Sequence, residues 1–166
     1  MPHGRVDAYV MHRVFCASPG DLERERDAFY QVMADLNEQE AMPGGILFVS
    51  VSIPATTLDK RPFQAALSEN IRACRYYIQL LEDSWGPPEK NFERDYVLAT
   101  RCAGDPVLPM QEVAVLFKRP LAPDQVDPRV VEFKRTLGHY LDFTDLDEFR
   151  IKLRAQLSAW LKTVIV

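Results

Sequence analysis

Val10 to Ala17 is a short apolar run closed by Ser18-Pro19-Gly20-Asp21, after which the hydrophobic period changes from strand-like to helical. Ser18 can cap the helix, Pro19 suits its first position, and Asp21, three residues after the cap, can take the capping-box role near the positive helix end. Leu22, Phe29, Val32, Met33 and Leu36 then share one face, and the helix is expected to end before Pro43-Gly44-Gly45. Ile46 to Ile53 alternates in the manner of a strand and stops at Pro54. A loop over Ala55 to Arg61 leads to a second helix opened by Pro62. Tyr76 to Leu81 is a near-continuous apolar run, which suits a strand covered on both faces.

The alternation continues. Phe92, Tyr96, Ala99 and Ala103 repeat at helical spacing up to Gly104-Asp105-Pro106, and Val113 to Phe117 reads as a fourth strand. Pro120 to Pro128 is a proline-bearing loop, Arg129 to Leu137 a short helix, and Tyr140 to Phe143 a brief fifth strand. Leu146, Phe149, Leu153, Leu157, Trp160 and Leu161 mark a long last helix, with acids near its start and Lys162 near its end. Strands alternating with helices predict an α/β fold, a mainly parallel sheet of four or five strands wrapped by helices on both faces. Residues 1–11 read as an N-terminal extension and 12–166 as a single domain. Phe29, Leu36, Leu67, Leu80, Val115, Leu153 and Trp160 are the expected core. Ligands of such sheets bind beyond the carboxyl ends of the strands, which directs attention to Ser18 to Asp21, Pro54 to Arg61 and Glu82 to Asn91.

Charge narrows the partners. Residues 1–83 carry 8 Lys and Arg against 12 Asp and Glu, and residues 84–166 carry 12 against 12, for a net charge of −4. Without a basic half, binding to nucleic acid is not expected. No run reaches the eighteen or so apolar residues of a membrane helix, so no membrane partner is expected. Cys16, Cys74 and Cys102 are odd in number and widely separated, which suits reduced core thiols in a cytoplasmic protein. His3, His12 and His139 lie far apart without metal-ligand companions, so neither a metal site nor a cofactor is expected. The chain has no GxGxxG, no GxxxxGK[ST] and no GxSxG.

The loop after the third strand is the densest in chemistry. Glu82, Asp83, Glu89, Glu93 and Asp95 put five carboxylates into fourteen residues, with Trp85 among them. Acids accept hydrogen bonds from sugar hydroxyls, an indole can stack on a base, and an anion beside an oxocarbenium-like centre stabilises its positive charge. The plainer reading is a solvated acidic loop with Trp85 packed as a lid on the sheet edge. Ser18-Pro19-Gly20-Asp21 is likewise either a plain helix start or, through free N–H groups, an anion contact.

Arg13-Val14-Phe15-Cys16-Ala17-Ser18-Pro19-Gly20-Asp21-Leu22-Glu23-Arg24-Glu25-Arg26 resembles the opening of a TIR-like family of unknown function whose members often precede nucleotide-binding signalling modules. Leu80-Leu81-Glu82-Asp83-Ser84-Trp85-Gly86 and Glu93-Arg94-Asp95-Tyr96-Val97-Leu98-Ala99 are similar to later segments of the same family. More distant relatives are TIR domains and nucleoside deoxyribosyltransferases. The resemblance implies a flavodoxin-like, TIR-like three-layer sandwich. It also implies a catalytic acid at the start of the helix after the third strand, where Asp95, four residues before Ala99, matches the family's glutamate and Glu93 is the alternative. Glu82 or Asp83 matches the transferases' nucleoside-binding acid. On this resemblance Ser18, Glu82, Asp83 and Trp85 bind substrate, and Asp95 or Glu93 serves cleavage of the N-glycosidic bond of NAD or a nucleoside in signalling or defence. The rival expectation is a non-catalytic module that works by self-association as a homo-oligomer or by binding a signalling partner.

Overall fold

A computed structural model describes residues 8–19, 22–51, 60–87 and 92–164, with side chains of the helix opening at Lys60 described from residue 65 onward. The elements run β1 (Val10–Ala17), α1 (Glu23–Leu36), β2 (Ile46–Val51), α2 (Lys60–Ala73), β3 (Tyr76–Leu81), α3 (Phe92–Ala103), β4 (Glu112–Lys118), α4 (Pro128–Thr136), β5 (Leu141–Phe143) and α5 (Leu146–Val164). All strand pairs are parallel, in the order β2-β1-β3-β4-β5. This is a flavodoxin-like three-layer sandwich, and its sheet has the fifth strand.

Parallel pairing requires crossovers, and their handedness distributes the helices over the two faces. α1 and α5 pack together on one face, and α2 packs beside α3 on the other. Strand alternation in β3 serves both layers: Tyr76, Ile78 and Leu80 join the α1/α5 core, while Tyr77 and Leu81 turn to the opposite clusters. Tyr76 stacks on Trp160 with ring centroids 4.3 Å apart, worth about 1 kcal/mol beyond its area burial. All seven expected core residues are buried.

Two local expectations are corrected. Ser18 does not cap α1, which begins at Glu23 with Leu22 in the cap position and no side-chain cap. The Ser18 hydroxyl instead accepts hydrogen bonds from the Arg26 guanidinium, so the helix starts one turn later. Asp21, assigned the capping-box role, lies outside the described residues, as do 52–59 and Glu89. Beyond Leu36 the chain continues in a wide helical turn, Asn37–Ala41, because the Asn37 amide bonds both the N–H and the carbonyl of Phe48 on edge strand β2. β1 spans Val10–Ala17 as the apolar run predicts, whereas α2 begins at Lys60, two residues before the expected Pro62. Among the described residues no helix is long and apolar enough to cross a membrane.

Candidate active site

Strand order reverses between β1 and β3, and beyond their carboxyl ends lies the crevice where doubly wound sheets hold ligands. Three segments converge there. Gly86, at φ +80°, lets the loop after β3 turn in a conformation that side chains rarely adopt. A Cβ at Gly86 would stand 3.6 Å from the Cβ of Pro19 and 3.5 Å from the Phe92 ring, so the β1 loop, the β3 loop and the start of α3 meet at this point.

Ser18 ends β1 at 3% exposure. Arg26 Nε and Nη2 donate to its Oγ at 3.0 and 2.9 Å, and Nη2 also donates to its carbonyl at 3.3 Å. The hydroxyl proton remains available for donation, because the guanidinium occupies only its acceptor side. Beneath it, Gln79 is fully buried between the two strands. Its Nε2 donates to the carbonyls of Ala17, 3.4 Å away, and Leu80, 3.1 Å away, while Tyr77 donates its hydroxyl proton to Oε1 at 2.9 Å. A buried amide bridging adjacent strands at the point of reversal fixes the separation of the two loops above it.

Asp95 sits in the first turn of α3 at 5% exposure, and among the described residues no hydrogen bond or ion pair reaches its carboxylate. Burial pushes its pKa from 3.8 up to about 6, with Arg94 partly opposing the shift. Its charge also helps hold Tyr77 well above the ordinary phenol range, after burial itself, which places the two groups in one electrostatic neighbourhood. Glu93, two residues earlier, is exposed and paired with Arg129 of α4. The two acids of one helical turn therefore face different surroundings, and only Asp95 is desolvated.

Trp85 is not open to a ligand. Its indole is 4% exposed, wedged edge-on against Phe133 at 4.8 Å and tilted against Tyr96 at 6.3 Å, with Nε1 buried and unpartnered among the described residues. The ring packs as a lid between α3 and α4, and stacking on a base requires Phe133 to move. Asp83 is half-buried, and its carbonyl accepts the Asp127 N–H at 2.8 Å, which ties the loop to the capped start of α4. Glu82 is half-buried at the end of β3, turned towards β4, where it lines a cavity with Lys118 and α4. Ser18, Trp85 and Asp95 are thus each buried near the carboxyl ends of β1 and β3, Glu82 lines a cavity on the β4 side, and Glu93 is exposed and paired with Arg129.

Gln79 and Tyr77 escaped the sequence reading. The signal was one amide inside an otherwise apolar run that must be buried on both faces. Cys16, half-buried at the end of β1, has its thiol pushed up to about 12 by burial, far from the thiolate a nucleophile needs. Among the described residues no three His, Cys, Asp or Glu side chains come together to hold a metal ion.

No protein-family model and no curated protein sequence matches the chain. Among solved structures it is similar to a Clostridium botulinum CMP N-glycosidase, BcmB, with a TM-score of 0.52 at 12% identity. The match covers 87% of this chain and 98% of the other, and at that identity the likeness is one of fold.

Proposed function

We propose that the protein cleaves the N-glycosidic bond of a nucleotide or nucleoside, with Asp95 as the carboxylate facing the sugar. The observation that carries the reading is a desolvated acid, without a hydrogen bond or ion pair among the described residues, at the edge where the strand order reverses. Its support from outside the chain is the similar fold of a protein described as a CMP N-glycosidase. In this reaction the bond from C1′ to the base nitrogen breaks, its electron pair leaves with the base, and water delivers a hydroxyl to C1′ while its remaining proton ends on the released base. Positive charge gathers on C1′ and the ring oxygen as the bond lengthens. A carboxylate stripped of water interacts strongly with that charge, because no solvent shell must be reorganised first. Asp95 is ionised above about pH 6 and can serve in that form. Ser18, aimed by Arg26, offers a hydroxyl proton to the substrate, and Glu82 and Asp83 of the loop after β3 accept hydrogen bonds from ribose hydroxyls.

NAD as substrate and a role in signalling or defence are the finer version implied by the TIR-like resemblance. Chromatography of the products from CMP, cytidine and NAD separates these substrates. Release of free base or nicotinamide from at least one of them is expected. No release from any, even in a concentrated or tethered assembly, would leave the non-catalytic interaction module instead.

A further inference from the structure

A concavity opens on the same edge of the sheet, on the β4 side of β3. It is a cavity of about 370 Å³ between the ends of β3 and β4, the segment before α4, and α4 itself. That volume lies within the range of small-molecule sites, about 300–1,000 Å³. Phe117, Val126, Val130 and Tyr140 form an apolar wall, and Lys134 and Arg135 of α4 supply cations opposite Glu82.

The cations are held in place. Lys134 pairs with Asp142 at 2.7 Å, and its Nζ stands 5.0 Å from the centre of the Phe117 ring and 5.1 Å from that of Tyr140. Arg135 engages Glu132 of its own helix through Nε at 3.0 Å and Nη2 at 2.6 Å. An ammonium has three N–H donors and a guanidinium five, so each cation carries donors beyond these bonds. Lys118 adds a third charge at the cavity and is anchored by the buried Glu25 of α1 at 2.8 Å. Each of the three cations is backed by a carboxylate, so the cavity offers an anion with an apolar body their remaining N–H donors beside an apolar wall rather than a bare excess of charge.

We propose that this cavity binds the phosphate end of a nucleoside monophosphate. The phosphate meets Lys134 and Arg135, the carbon face of the sugar lies along the apolar wall at Val126 and Val131, and Glu82 accepts a hydrogen bond from a ribose hydroxyl. The glycosidic bond is then on the side of the β1 and β3 loops. A planar guanidinium suits phosphate because two parallel N–H donors match two of its oxygens. The proposal rests on the nucleotide reading above for the class of ligand, and it makes the phosphate, rather than the base, the main source of affinity.

Calorimetric titration with CMP and with cytidine tests it, using the parent and Asp95→Asn, in which cleavage is suppressed. CMP is expected to bind at least about 10-fold more tightly than cytidine, the scale of one or two charge-assisted hydrogen bonds. Arg135→Gln should weaken CMP by about 10-fold and leave cytidine unchanged. This variant keeps the fold testable, since Arg135 is exposed and its recorded partner is on its own helix. Glu132→Gln, which releases Arg135, should tighten CMP. Arg150→Gln on the opposite face is the control for general charge effects and should change nothing. Equal affinity for CMP and cytidine, no binding of CMP, an unchanged affinity in Arg135→Gln, or an equal loss in Arg150→Gln would overturn the proposal. Phosphate-dependent binding without cleavage would sink the cleavage reading and keep this one, whereas cleavage insensitive to Arg135 would do the reverse.

Discussion

The two faces of the sheet are built from the same strands and differ in what they bury. Towards α1 and α5 lies a continuous apolar core, with Tyr76 stacked on Trp160 and Phe143 against Phe149. Towards α2, α3 and α4 the buried side chains include Tyr77, Gln79, Asp95 and Trp85, whose indole nitrogen has no partner among the described residues. Burying polar groups costs stability unless each is paired, and burial of Asp95 raises its pKa. One face holds the domain together, and the other spends part of that stability on a crevice.

If that division is right, the largest stability loss comes from the apolar face. Leu80→Ala should cost about 2–5 kcal/mol in denaturant unfolding, since Leu80 is fully buried, and a near-neutral result would break the comparison. On the polar face, Gln79→Leu should cost about 1–3 kcal/mol by leaving the Tyr77 hydroxyl and two strand carbonyls without their amide. Adding Tyr77→Phe should then cost less than the sum of the two single changes, and strict additivity would show that the pair is not coupled.

His12 and the ion-paired Glu25 of α1 are buried polar exceptions on the apolar face, and His12 sharpens the contrast. It lies between Phe48 and Tyr76, with Nδ1 unpartnered among the described residues. Burial lowers its pKa from 6.5, and Arg75 adds to the shift. The folded state therefore holds His12 neutral. Its contribution is complete above 6.5 and is lost as pH falls through that value towards the folded pKa. His12→Leu should remove that acid-side loss, as read from melting temperatures across pH; an unchanged profile would clear His12 of any part in it. The smallest effect is expected at Glu93→Gln, within about 1 kcal/mol, because its pair with Arg129 is exposed.

Much of this was legible because a parallel sheet requires apolar runs of strand length. The run over Tyr76 to Leu81 is β3 residue for residue, and the period over Leu146 to Leu161 locates α5. What escaped the sequence depends on partners distant along the chain. Ser18 has the residue type of a cap, but an arginine eight positions on takes its oxygen. Trp85 has the residue type of a stacking platform, but Phe133 arrives from α4, nearly fifty residues later, to cover it. Asp95 and Glu93 differ by two positions in sequence, and only packing against β3 tells them apart.

The most direct test pairs activity with stability in one variant, Asp95→Asn. Burial raises the folded pKa of Asp95 to about 6, so its charge penalises the fold increasingly as pH rises from 3.8 through 6 and fully above that. Asparagine keeps the shape without the charge. At pH 7.5 the variant should melt at a higher temperature than the parent, with the advantage shrinking towards pH 4, while release of base from CMP slows by about 100-fold or more. Unchanged base release in a correctly folded Asp95→Asn protein would contradict the assignment, and a lower melting temperature at pH 7.5 would show that the carboxylate belongs to the scaffold rather than to the chemistry.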